Sequence, residues 1–465
     1  MVGIKLVAFS GLILSLYLIL MVPFKWALFL VFMYIGLEGF FKVISNYNPF
    51  VHVGSDLIVI ALCFKVLLQS FFKGANLKTT PPLTKLFMIH FLWLAIIMFN
   101  PFSLSVIASV AGAKIYVSMF LLYFFGYYLT QSESDVRFYM WPFIIVGVLH
   151  TVTGITQGFL GPDSLVALHP RYAVQLQKYQ NVAFRPFGLT NLPGGPSVYL
   201  YQIYPFLLYF AFHLKSWVAK ALIIGMLPFS TFLFFLCQVR SALLKMIVAT
   251  TLFIFGYIHT NMKTRRGSSR GGLVFPLAAM VLLIYFALPQ FMTASVESRD
   301  ENEAAIERSL SLFDVDKVSS SRRGAWGRFV MYAQEVPFGA GLSRVGAAAG
   351  AFKEEHQRDR TFGFKYFFTD NFWLTALVEI GLPGMIIVTL IVLLILWRGF
   401  KSYLSSKIHS IRVLQLAILS SLIALFIGLY GAEGLIYNPE ACFFWFFSGV
   451  LMKLPVLEKE RLASS

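Results

Sequence analysis

Runs of mostly apolar residues alternate with short polar breaks along almost the whole chain. About 20 such residues cross the hydrocarbon of a bilayer as a helix. Segments of this kind begin near Ile4, Trp26, Leu57, Leu86, Val106, Phe138, Ser197, Val218, Leu243, Leu273, Phe372, Leu414 and Ala441. The pattern therefore predicts an all-α polytopic membrane protein of about 12–13 transmembrane helices. Two longer hydrophilic stretches interrupt the rhythm, one at about 161–193 and one at 291–369. The expected organisation is transmembrane helices over 1–290 around the first loop, a large partly helical loop over 291–369, C-terminal transmembrane helices over 370–452 and a polar tail over 453–465. The first apolar run lacks a small-residue cleavage site and continues into a second, so it reads as a retained helix.

Composition agrees with this reading. Hydrophobic residues make up 58% of the chain and charged ones only 13%, whereas a soluble domain carries about 25% charged residues. The net charge of +16 would suggest nucleic acid in a soluble protein. Here the excess of Lys and Arg in cytoplasmic loops accounts for much of it, and nucleic acid is set aside as a partner. Membrane lipids are the expected surroundings. Cys63, Cys237 and Cys442 all lie in apolar runs and have no metal-ligand or disulfide spacing. No HExxH or CxxC pattern occurs, so neither a metal site nor a cofactor is expected.

Orientation follows from the short loops. KGANLKTTPPLTK (73–85), NMKTRRGSSRGG (261–272), RGFKSYLSSKIHSIR (398–412) and the C-terminal tail are short and basic, which assigns them to the cytoplasm. Alternation then sends the 161–193 and 291–369 loops to the outer face. With 13 spans the N-terminus would lie outside, with 12 inside.

The outer loops contain the candidate chemistry. The first has His169, Arg171, Lys178 and Arg185; the second has Arg322, Arg323, Arg328 and Arg344 beside an acidic run from Glu297 to Glu307. Positive-inside bias gives no reason for arginines on that face. Their planar forks of donors suit phosphate, in a lipid headgroup or in the diphosphate of a lipid-linked substrate. Surface salt bridges to nearby carboxylates are the competing explanation. Arg240, in CQVRSALLK, falls at the outer end of a span, where snorkelling to headgroups competes with a functional role. Ile306, Leu310 and Phe313 recur at helical spacing, as do Trp326, Val330 and Ala333, and predict short amphipathic helices within the long loop. The glycine-rich PFGAGLSRVGAAAG (337–350) has no Lys-Ser/Thr ending and follows no strand. It reads as a turn bringing backbone close to a ligand or a neighbouring helix.

Four stretches, taken in order, resemble the O-antigen ligase/polymerase superfamily: FRPFGLTNLPGGPSVYLYQIYPFLL (184–208), QVRSALLK (238–245), RGAWGRFVMYAQEVPFGAGLSRVG (323–346) and TDNFWLTALVEIGLPGMIIVTLIVLLIL (369–396). They cover about the C-terminal 60% of the chain. The resemblance implies a periplasm-facing, C-type glycosyltransferase of the bacterial inner membrane that uses undecaprenyl-diphosphate-linked glycans as donor and acceptor, with a chain-length regulator as a candidate partner. It implies that Arg185, Arg240, Arg322 and Arg323 bind the donor diphosphate, with Trp326, Gly339, Gly341, Arg344 and Asn371 as supporting residues. Ligases of the family usually carry a His where this chain has Asp370, which favours a polymerase of O-antigen, capsule or exopolysaccharide units over a ligase acting on lipid A-core.

Glycosyl transfer needs a base for the acceptor hydroxyl proton, and Asp370 is the candidate, with Arg322 beside it in catalysis. Thr369, Asp370 and Asn371 are also all suitable N-cap residues for the following helix. A transporter or a non-catalytic export component is the rival class. It would use ionisable groups within spans, for which Glu38, Lys65, Lys114, Lys245 and Glu379 are candidates, Lys114 foremost because it lies near the middle of its segment.

Overall fold

The computed structural model describes residues 2–73, 79–177, 184–264, 327–349, 352 and 371–464. Among these the chain is helical and contains no strand. The first eight helices are α1 (Val2–Met21), α2 (Phe24–Ile44), α3 (Pro49–Lys73), α4 (Thr84–Ile97), α5 (Val106–Leu129), α6 (Glu133–Leu160), and the short α7 (Asp163–Leu168) and α8 (Arg171–Gln177). They are followed by α9 (Gly195–His213), α10 (Trp217–Cys237), α11 (Arg240–Thr264), α12 (327–335), the single turn α13 (Gly346–Ala349), α14 (Phe372–Ser405), α15 (His409–Gly428) and α16 (Glu440–Ser464). Of the thirteen segments expected from hydropathy, the one beginning at Leu273 lies outside the described residues; each of the others coincides with a helix.

Among the described residues, eight helices are long and apolar enough to cross a membrane: α2, α5, α6, α10, α11, α14, α15 and α16. Two helices, α4 and α9, fall outside this set for physical reasons. With 14 residues, α4 spans only about 21 Å. Tyr and Pro lower the hydropathy of α9, yet it is buried almost all round from Tyr199 to Ala211, as befits a helix enclosed by other helices. Two of its tyrosines find partners inside the bundle: Tyr204 donates to the Leu227 carbonyl at 2.8 Å, and Tyr201 bonds Glu440.

Close packing is secured by small residues, as in other membrane bundles. The backbones of α5 and α16 touch at Gly126 and Gly449. A Cβ on Gly126 would fall 2.0 Å from the Phe446 carbonyl oxygen, and one on Gly449 would fall 1.9 Å from that of Tyr123. Above this contact Phe120 and Trp445 pack with ring centroids 4.0 Å apart.

The helix ends sort into two sets. Tyr139 reaches the Leu129 carbonyl, and Glu458 accepts from the amides of Lys407 and Ile408. These contacts gather the α5–α6 and α14–α15 turns and the C-terminal end of α16 at one end. Lys65 bonds the carbonyls of Ile19 and Val22, so α1 finishes at that same end and Val2 starts at the other. This is the end of the short basic loops, as their alternation requires. The opposite end gathers the turns at 45–48, 98–105, 238–239 and 429–439, residues 161–177 and 184–194, the described part of the 291–369 loop and the start of α14. Residues 453–464 continue α16 as helix.

Candidate functional site

Arg185 stands on a loop held by three hydrogen bonds from one side chain. Gln157, on the last turns of α6, accepts from the amides of Phe187 (2.9 Å) and Gly188 (2.6 Å) and donates to the Gly188 carbonyl (2.9 Å). Two turns deeper, His150 accepts from the Leu189 amide through Nδ1 at 3.2 Å, so its Nε2 carries the proton and donates to the Gly36 carbonyl at 3.1 Å. Tyr172 of α8 donates to the Thr190 carbonyl at 3.1 Å. Burial, then the neighbouring Tyr47, pushes that phenol above its usual range and keeps it a donor. The loop is thus fixed from α6 and α8 before it enters α9.

The same loop meets the α10–α11 turn. Gly194 has φ +74, and a Cβ there would sit 2.6 Å from Val239 and 2.9 Å from the Cys237 carbonyl. The Arg185 charge reaches Cys237, and Arg240 opens α11 two residues beyond the turn residue Gln238, which has φ 51. Arg185 and Arg240, distant in sequence, therefore stand around one junction. Arg240 is half-buried, and its Nε is buried with no hydrogen bond among the described residues.

The glycine-rich turn packs against a helix. α14 breaks at Gly381 (φ 70, ψ 178), and 337–341 fits into the break. Ala340 donates to the Val378 carbonyl at 2.7 Å, and the Leu382 amide donates to the Pro337 carbonyl at 2.8 Å. Gly339, at φ +87, lies where a Cβ would come within 2.7 Å of the Gly381 amide; Gly341, at φ +99, abuts Ser103. Arg344 is 3% exposed, and its Nε donates to the carbonyls of Phe102 (2.9 Å) and Ala340 (3.1 Å). Gly339, Gly341 and Arg344 thus have structural work that ties the turn to α14 and to the turn between α4 and α5.

Asn371 is the N-cap of α14, accepting from the amides of Trp373 (3.0 Å) and Leu374 (3.2 Å). Arg322, Arg323, Trp326 and Asp370 lie outside the described residues. So do Ile306, Leu310 and Phe313. Of the second expected amphipathic helix, 327–335 is described. Its buried face comprises Phe329, Tyr332, Ala333 and Val336 against Leu374, Leu377 and Val378, while Val330 is 60% exposed. The apolar stripe is therefore shifted from the one that Val330 suggested.

Each charged residue flagged within a span has a partner. Glu38 pairs with Lys42 (2.9 Å), Lys114 with Asp56 (2.6 Å) and Lys245 with Glu440 (2.6 Å). Tyr116 donates to Glu379 at 3.0 Å, and Lys65 bonds carbonyls. Two of these pairs line a cavity of about 650 Å³ at the opposite end, walled by α2, α3, α5, α6, α9 and residues 436–439 and roofed by 190–192. Lys42, Asp56 and Asn438 there were not foreseen from sequence. The cavity brings together residues as far apart as Glu38 and Asn438, whose side-chain amide donates to Glu38 at 3.0 Å.

Residues 221–389 match the family model described as O-Antigen ligase. That match supports a relationship of this part of the chain to the O-antigen ligase/polymerase superfamily. The matched region runs from α10 into the second half of α14 and so contains Arg240, the glycine-rich turn and Asn371. The Arg185 loop lies upstream of it and reaches it through Gly194. A comparison with curated proteins gives no match. The match supports a ligase- or polymerase-type function in polysaccharide assembly for a multi-pass membrane protein.

Proposed function

We propose that this protein is a polymerase of the inner membrane that joins undecaprenyl-diphosphate-linked oligosaccharide repeat units into a surface polysaccharide on the periplasmic face, by metal-independent glycosyl transfer. The observation carrying this reading is the convergence of the Arg185 loop and the Arg240 helix start at one junction, at the same end as the glycine-rich turn and the head of α14. An acceptor hydroxyl attacks the anomeric carbon of the donor. The new glycosidic C–O bond forms as the bond to the diphosphate breaks, and the hydroxyl proton passes to Asp370. Charge grows on the departing undecaprenyl diphosphate, where Arg185, Arg240, Arg322 and Arg323 oppose it more strongly in the transition state than in the ground state. Asn371 already caps α14, so the carboxylate before it is not needed for that task.

The test uses purified protein in lipid with an undecaprenyl-diphosphate repeat unit, the products being resolved on a gel. Wild type gives a ladder, and Arg185→Ala, Arg240→Ala, Arg322→Ala and Asp370→Asn lose it while remaining folded. The description of the matched family as ligase favours the second reading, transfer to lipid A-core. A single transfer to added lipid A-core with no ladder would establish that reading instead.

A further inference from the structure

The cavity at the opposite end differs chemically from the arginine junction. Its charged lining is balanced: Glu38 and Asp56 against Lys42 and Lys114. A diphosphate would find no surplus of positive charge there, and a polyprenyl chain would meet four charged groups. Glu38 accepts from Ser55 at 3.3 Å as well as from Asn438, so its orientation is fixed.

Two lining groups are left over. The Tyr199 hydroxyl, on a side chain 1% exposed, and the Asn438 Oδ1 are buried and have no hydrogen bond among the described residues. A buried hydroxyl and a buried amide oxygen without partners are costly. They call for a ligand that both donates and accepts. The volume of about 650 Å³ lies within the range of small-ligand sites. Lys114 is the ninth residue of α5 and Asp56 the eighth of α3, so the pair sits roughly 10 Å below the helix ends, and the Lys114 side chain is 42% exposed, which keeps the pair accessible.

We propose that this cavity is a saccharide subsite for an uncharged, hydroxyl-rich glycan, separate from the arginines that take the diphosphate. It deepens the polymerase reading and rests on it in assigning the glycan to the repeat unit. The fixed carboxylates accept from sugar hydroxyls, and the lysine ammoniums and Tyr199 donate to sugar oxygens. The Asn438 Oδ1 takes one further hydroxyl. The 190–192 roof belongs to the loop that carries Arg185, so a glycan seated here would adjoin the diphosphate junction.

The experiment measures binding of the free repeat-unit oligosaccharide, released from the host's own surface polysaccharide, to full-length protein in nanodiscs by calorimetry, with turnover of the lipid-linked unit measured in parallel. Asp56→Asn and Asn438→Ala are expected to weaken oligosaccharide binding by 10-fold or more and to raise KM for the acceptor with little change in kcat. Ala111→Phe adds bulk to the cavity wall, leaves all four charges in place, and should block binding. Arg240→Ala should abolish turnover and leave oligosaccharide binding intact. Wild-type protein that does not bind the oligosaccharide, or folded cavity variants that bind it like wild type, would overturn the subsite, whatever the turnover. Binding that depends on the cavity residues, in a protein that turns over no lipid-linked donor, would support the subsite and sink the polymerase reading.

Discussion

Gln157 is the residue on which the placement of Arg185 should depend most. Gln157→Leu keeps the apolar packing of α6 but removes both the acceptor for the Phe187 and Gly188 amides and the donor to the Gly188 carbonyl. Leaving a buried polar group unpaired costs about 1–3 kcal/mol, and three groups are affected here, so the low end of the penalty is about 3 kcal/mol. The loop has a cheaper course, which is to open and hydrate those groups. At about 1.4 kcal/mol per decade, the substitution should lower hydrogen-exchange protection of the Phe187 and Gly188 amides by about 100-fold. Arg185 lies two residues from Phe187, so loosening this loop should also raise KM for the lipid-linked donor. The control is Thr156→Ala on the adjacent exposed face, which loses only a bond to the Val152 carbonyl and should leave both amides protected. Exchange by mass spectrometry in nanodiscs reads the difference directly. Unchanged protection of Phe187 and Gly188 in a folded Gln157→Leu protein would refute the clamp.

Two further outcomes follow from the packing. Gly339→Ala should destabilise the protein by about 2–5 kcal/mol, from about 1–2 for a left-handed backbone and about 1–3 for overpacking, since its Cβ would meet the Gly381 amide at 2.7 Å; Gly225→Ala, with no atom within 4 Å of its Cβ, should leave the melting temperature in detergent unchanged or slightly higher. Lys245→Met and Glu440→Gln should each cost about 3–5 kcal/mol by stranding a buried partner, whereas the double variant should cost less than the sum; denaturant unfolding of all four proteins tests this, and strict additivity would mean that the 2.6 Å pair is not coupled.

Sequence reading reached the helices because the bilayer imposes a demand that one chain displays locally: about 20 apolar residues per crossing. It reached α9 as well, though the tyrosines that lower its hydropathy give no hint that other helices surround it. The glycine-rich turn was legible as a close backbone approach but not as the filler of a break in α14, because that contact joins residues on two separate segments. Glu38 and Lys114 stood out singly, since ionisable groups in spans are expensive. Their arrangement did not, because Asp56, Asn438 and the 190–192 roof arrive from three different parts of the chain. Gln157 gave no signal at all: an isolated amide in an apolar helix looks like any other, and only the folded loop reveals what it holds. Among the arginines, Arg185 and Arg240 stand around one junction that no local pattern announces, while Arg344, equally prominent in sequence, spends donors on the carbonyls of Phe102 and Ala340.

The break in α14 also bears on whether charge within these spans serves transport. A transporter uses a discontinuous helix to turn unpaired backbone groups toward an ion or substrate at the bilayer midplane. In α14 the groups released at Gly381 are consumed by the protein itself. The Val378 carbonyl takes the Ala340 amide, the Ile380 carbonyl takes the Trp93 indole at 2.8 Å, and the Leu382 amide gives to Pro337. Pro383 follows in the first turn of the resumed helix, where its missing amide costs nothing. A break filled in this way offers no ligands to a passing ion; it anchors a loop. The five charged residues singled out within spans behave consistently, each held by an ion pair, a tyrosine hydroxyl or carbonyls. The two pairs nearest the opposite end face a cavity beneath the Arg185 loop. Fixed polar groups gathered at one end, around a junction of permanently charged arginines, suit chemistry on a substrate delivered at that surface. Alternating access would instead need those contacts to exchange.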